Sequence, residues 1–293
     1  MIALAIFSLP LMLSLLMFNS KTEQTPRIPL IGLIITLGIA ITGLFLQSKG
    51  TPVHFDLALI PSIGFHFNLY LDGSSWTMVM LTLLAGIGIL YVQSHKTITN
   101  PNRFYAWSLM MISAMLGAFM AGDALLFYIC YEWALIPIFF LILKWGNGEH
   151  LGKITMRFFL YTLLGSLFMM LALLYVHQSM ETPSFAMQAM WEAGNALTGS
   201  QQGWVFAGLF IAFAVKMPVF PFHSWQPSTY DHAPIQGTML LAAIMLKMAT
   251  FGLVRWALPM VPVGIAEHGQ WAVVLSVISV IYASLMAMTQ KRL

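Results

Sequence analysis

Three ionisable residues, Glu132, Lys216 and Lys247, stand inside apolar runs where a bilayer would leave charge without water. A charged side chain there is costly, and it marks an ion or proton pathway by default. Glu132 lies nine residues beyond Asp123, about 14 Å along a helix rising 1.5 Å per residue. Lys216 follows Trp204 by twelve residues and Lys247 follows Pro234 by thirteen, so the three reach a similar depth and are expected to share one polar layer. Desolvation favours the neutral form of a lysine, while a nearby carboxylate favours the ammonium. At about 4 Å and an effective dielectric near 20 that attraction is about 4 kcal/mol. Making and breaking a Glu132–Lys216 contact would then load and unload a proton, with Lys247 as the next acceptor. A static ion pair is the competing reading. It explains the layer poorly, because such a pair often stabilises less than apolar residues of the same size and the second lysine leaves an odd positive charge.

Prolines accompany these charges. Pro218 cannot donate to the Ala214 carbonyl, nor Pro221 to that of Met217, so the helix carrying Lys216 is expected to break just after it and free two carbonyls. Pro137 cannot donate to the Trp133 carbonyl and predicts a kink beside Glu132. Broken helices at mid-membrane are a recurrent device for holding water and ions. His223, just past the second proline, reads either as a gate for proton uptake or as a structural histidine bonded to a freed carbonyl. Asp123 reads as a helix N-cap, and Asp231 and His232 as interfacial polar residues.

These residues need a membrane scaffold, and the composition supplies one. Of 293 residues, 59% are hydrophobic and 8% charged, and the mean hydropathy is +0.82, against about 25% charged residues in a soluble domain. The isoelectric point near 9.0 does not imply nucleic acid, because the basic residues sit in short loops and form no patch. The single cysteine, Cys130, excludes an internal disulfide and an iron–sulfur cluster. The 22 methionines are spread along the apolar runs and read as packing, and no metal-ligand spacing is present.

Nine windows of about 20 apolar residues are predicted to span the bilayer, near 1–18, 29–47, 74–93, 104–121, 124–144, 157–176, 204–225, 234–257 and 270–289. The fold class is thus an all-α polytopic helix bundle. The stretch 48–73, with Pro52, Pro61 and Gly64, suits an interfacial loop or short hairpin, and 177–203 a loop with a short amphipathic helix around 184–193. Lys21, Arg27, Lys96, Arg103, Lys144, Lys153, Arg157, Lys291 and Arg292 fall on one side, against Lys49 and Arg255 on the other. That asymmetry predicts an amino terminus outside the cytoplasm.

The ordered string Tyr131-Glu132-Trp133-Ala134-Leu135-Ile136-Pro137, Phe213-Ala214-Val215-Lys216-Met217-Pro218, Pro221-Phe222-His223-Ser224-Trp225-Gln226-Pro227, Ala233-Pro234 and Leu246-Lys247-Met248 through Gly252-Leu253-Val254-Arg255 resembles the antiporter-like, proton-pumping membrane subunits of respiratory complex I. The Ile-Pro after the glutamate resembles the M-chain branch, and Leu71-Asp72-Gly73 before the third span also fits. The resemblance implies a fold of two inverted five-helix repeats. It divides this chain into three N-terminal helices with an interfacial loop (1–103), a first repeat (104–258) and the start of a second (259–293). By residue matching it implies that Glu132 is the carboxylate partner, Lys216 the pumping lysine and Lys247 the connecting lysine. It implies no cofactor in this chain, with NAD, flavin, iron–sulfur clusters and quinone in partner subunits. The implied setting is a bacterial inner membrane beside L-type and N-type neighbours. Ser228-Thr229-Tyr230-Asp231-His232 departs from the family pattern, where many relatives carry Asp-Ala-His. The chain also stops where the family continues, which suggests a fragment or a split subunit. A cation/proton antiporter subunit, the membrane subunit of a membrane-bound hydrogenase and a non-conducting structural bundle are the alternative expectations.

Overall fold

The computed structural model describes residues 1–20, 27–95 and 98–289. Lys21, Lys96, Lys291 and Arg292, four of the basic residues used for orientation, lie outside the described residues.

An apolar run in lipid must satisfy its own backbone, and a helix does so within one segment. The chain forms α1 (Ile2–Asn19), α2 (Arg27–Ser48), a hairpin of β1 (His54–Ile60) and β2 (Phe65–Tyr70), α3 (Gly73–Ser94), α4 (Pro101–Met120), α5 (Ala124–Trp133), α6 (Leu135–Trp145), α7 (Leu151–Gln178), α8 (Met187–Ala196), α9 (Gly199–Lys216), α10 (Gln226–His232), α11 (Ile235–Met260) and α12 (Pro262–Thr289). Counting α5 and α6 as one span, eight helices among the described residues are long and apolar enough to cross a membrane. The protein is an integral membrane helix bundle. The window 204–225 differs from an unbroken span. It is helical to Lys216, passes through an irregular segment and resumes as α10, because two prolines remove donors from what would be the next turn.

The stretch 48–73 forms the antiparallel hairpin, turned by Pro61–Ile63 and by Gly64 at φ 67°. A Cβ on Gly64 would lie 2.3 Å from the Pro183 carbonyl oxygen, so both the left-handed backbone and the close approach require glycine. The Phe185 N–H donates to the Gly64 carbonyl, the Ala124 N–H to that of Phe185 and the Gly122 N–H to that of Asn68. Hairpin, α4–α5 turn and α7–α8 loop thereby interlock on one face of the bundle.

Helix α4 is buried nearly all round and forms the centre. Helix α1 is fixed to it by Ser14 donating to the Ala106 carbonyl and Ser113 to that of Phe7. Helix α9 packs between α7 and α12. Helix α11 crosses α9 closely at Gly252, where an added Cβ would lie 2.5 Å from the Phe213 ring. Two π-helical stretches, Leu241–Met245 and Leu253–Ala257, bracket the turn of α11 that carries Lys247. Such bulges inside a helix commonly lie at functional positions.

Candidate functional site

Lys216 is the last helical residue of α9 and is buried. Its ammonium donates to the Tyr131 carbonyl at 2.8 Å and lies 3.3 Å from the centre of the Tyr131 ring. A backbone dipole and a π face thus replace part of the water a buried ammonium loses. Helix α5 supplies this acceptor one residue before Glu132.

Of the two carbonyls the prolines were expected to free, that of Ala214 is satisfied from further along the chain, and its neighbours are bonded too. The Val219 N–H reaches back to the Ala214 carbonyl at 2.9 Å, the Met217 N–H to that of Phe213 at 2.7 Å, and the Trp225 indole N–H to that of Val215 at 2.8 Å. Skipping the proline nitrogen, the chain satisfies Ala214 from five residues on. The Phe220 N–H, turned out of the helix, donates to Ser279 Oγ of α12 at 2.7 Å.

Glu132 does not form the expected contact with Lys216. Among the described residues its carboxylate makes no ion pair within 4.0 Å, and its buried oxygens accept no hydrogen bond. The lysine is drawn to the neighbouring backbone carbonyl instead. Ser166 stands beside the carboxylate and gives its hydroxyl proton to the Leu163 carbonyl. The helix around Glu132 is interrupted at Ala134, between α5 and α6, three residues before Pro137.

Lys247 is exposed rather than enclosed with the other two charges, and its ammonium donates to the Ala242 carbonyl in the first π-helical stretch. It opens onto a cavity of about 320 Å³ with Met217, Pro218, Thr250, Ser276 and Ser279. His223 packs against the rings of Phe220 and Tyr282. Its buried Nδ1 has no partner among the described residues, so it does not bond a freed carbonyl. It lines a second cavity of about 520 Å³, with Gln226, Tyr230, Asp231, Ser279 and Tyr282. Pro221, in the irregular segment, follows Phe220 through a cis peptide bond.

Two polar features carry more structure than their sequence positions suggested. Asp123 caps α5, one oxygen accepting from the Leu125 and Leu126 N–H groups and the other from the His66 N–H. Burial nevertheless pushes its pKa upward. Arg255, read from the sequence as a loop charge, is buried and paired with Asp72, and also donates to Ser74. Burial works against the Asp72 carboxylate, but the Ser75 N–H, the Ser74 hydroxyl and the Arg255 guanidinium together hold it down at about 2. The available signal was positional, a carboxylate opening one span and an arginine near the end of another on the same predicted face.

A family model described as NADH:quinone oxidoreductase/Mrp antiporter, TM, matches residues 121–293. NADH-quinone oxidoreductase subunit M of Rickettsia conorii is 33% identical over 307 residues, covering 99% of this chain and 60% of the relative. Subunit M of Escherichia coli K12 is 37% identical over 255 residues, covering 83% of this chain and 50% of the relative. A chain of respiratory complex I from Thermus thermophilus with bound NADH superposes with a TM-score of 0.86 at 27% identity, covering 100% of this chain and 60% of that one. The chain therefore spans about half to 60% of the length of these curated relatives.

Proposed function

Because the chain belongs to the NADH:quinone oxidoreductase/Mrp antiporter transmembrane family, we propose that it is a proton-translocating membrane-arm subunit of NADH:quinone oxidoreductase. The observation that carries this reading is Lys216, a buried ammonium at the end of a broken helix, held by the backbone beside a carboxylate with no hydrogen bond of its own. A neutral Lys216 takes a proton on Nζ, and the resulting ammonium is held by the Tyr131 carbonyl and ring. Glu132 biases that protonation without touching it, and Lys247 receives the proton from the cavity beside Pro218. His223, on the cavity leading toward Asp231, serves proton uptake. The interruption at Ala134, three residues before Pro137, and the break at Pro218 and Pro221 set the helix ends at this depth.

In this reading residues 104–258 are the first five-helix repeat and 259–293 begin the second. NAD, flavin, iron–sulfur clusters and quinone belong to partner subunits, and L-type and N-type chains are the membrane neighbours. The setting is a bacterial inner membrane with the amino terminus outside the cytoplasm. A cation/proton antiporter subunit is the second reading, supported by the antiporter half of the family description.

The test is pumping by the assembled complex in proteoliposomes. Lys216→Ala and Glu132→Ala are expected to lower protons moved per NADH oxidised while the complex still assembles. Unchanged pumping by both would remove the mechanism. Sodium-dependent proton exchange without copurifying NADH-oxidising subunits would select the antiporter.

A further inference from the structure

The two cavities flanking the broken helix share two residues, Pro218 and Ser279. The larger holds His223 and Tyr230, each with a buried polar atom lacking a partner among the described residues. The smaller holds Lys247. Both exceed by far the volume of about 30 Å³ that a water molecule occupies, and both carry the polar groups a retained water needs. Pro218 has no N–H, so at this shared wall Ser279 supplies the side chain that can both give and accept a proton.

Helix α12 arranges this by spacing. Ser276, Ser279 and Tyr282 recur every three residues, so Ser279 neighbours each of the other two on the helix surface. Ser276 lies on the lysine cavity, Tyr282 on the histidine cavity and Ser279 on both. Ser279 Oγ accepts from the Phe220 N–H at 2.7 Å and donates to the Leu275 carbonyl at 2.6 Å. The first bond fixes the oxygen at the break, while the second can be exchanged by rotating the hydroxyl.

Resting on the proposed pumping role, we infer that Ser279 is a proton-conducting residue joining the His223 cavity to the Lys247 cavity. As water on the histidine side delivers a proton to Oγ, the hydroxyl releases its own proton to water on the lysine side. One O–H bond forms as another breaks, and one proton crosses from the water beside His223 to the water beside Lys247. The Phe220 N–H keeps the oxygen in place during the exchange.

Threonine and valine at position 279 test this, being alike in shape but not in proton chemistry. In the complete reconstituted oxidoreductase, normalised to assembled complex, Ser279→Thr is expected to keep most of the pumping. Ser279→Val is expected to slow proton transfer about a hundredfold, the lower end of what a positioned proton-transfer group contributes. The solvent deuterium effect on pumping should rise in Ser279→Val, which a purely structural role would not produce. Equal pumping by the two variants, with Lys216→Ala still impaired, overturns the role of Ser279 and leaves the pumping reading standing. Normal pumping by Lys216→Ala as well removes that reading. Should Ser279→Val fail to assemble, Ser279→Ala is compared with Ser279→Thr by the same criterion.

Discussion

Neither oxygen of Glu132 accepts a hydrogen bond among the described residues, although the carboxylate is shut away from solvent. A buried charge in that condition costs stability, so its retention argues for use rather than for holding helices together. Glu132→Gln is expected to leave the thermal midpoint in detergent unchanged or raised while lowering proton pumping. Lys216→Met should behave differently, because it strips the Tyr131 carbonyl of its partner as well as removing the charge. A cost of about 1–3 kcal/mol is expected, readable as a lower melting temperature of the assembled complex.

At the scale of elements, the break after α9 and the bulges of α11 decide where the charges lie. Pro218→Ala restores a donor next to the Ala214 carbonyl, now taken by Val219. It should extend α9, displace the Phe220 N–H from Ser279 and lower pumping without loss of assembly. The Asp72–Arg255 pair joins the start of α3 to the second π-helical stretch of α11. The Asp72 carboxyl is held at about 2 against an ordinary 3.8, so the folded state favours its ionised form. Its contribution is therefore full above about pH 4 and disappears as pH falls toward 2. The difference in melting temperature between the native chain and Asp72→Asn should shrink across that interval.

For the whole molecule, the hairpin, the α4–α5 turn and the α7–α8 loop lie on one face, whereas Asp231 and the α6–α7 loop lie on the other. The predicted orientation puts the hairpin face outside the cytoplasm. Cys130 is the sole cysteine and is buried, which leaves little background for labelling. A membrane-impermeant maleimide should label Lys49→Cys in intact cells and Lys153→Cys only after permeabilisation. The reverse pattern would invert the assignment of faces.

Sequence alone determined most of the apolar spans, the interfacial position of the stretch 48–73 and the three charges in apolar runs, because hydropathy and proline positions act locally and a bilayer punishes every exception. The string around Glu132, Lys216 and Lys247 carried the family resemblance for the same reason. Only the tertiary structure decided the partners. It gave Lys216 the Tyr131 carbonyl in place of the Glu132 carboxylate, because a helix end chooses among acceptors presented by another helix. It turned Arg255 from a loop charge into the buried partner of Asp72, which is 183 residues away in the chain. It also set Ser279 between two cavities, since that wall exists only where the irregular segment after α9 meets α12, with α10 on one side and α11 on the other.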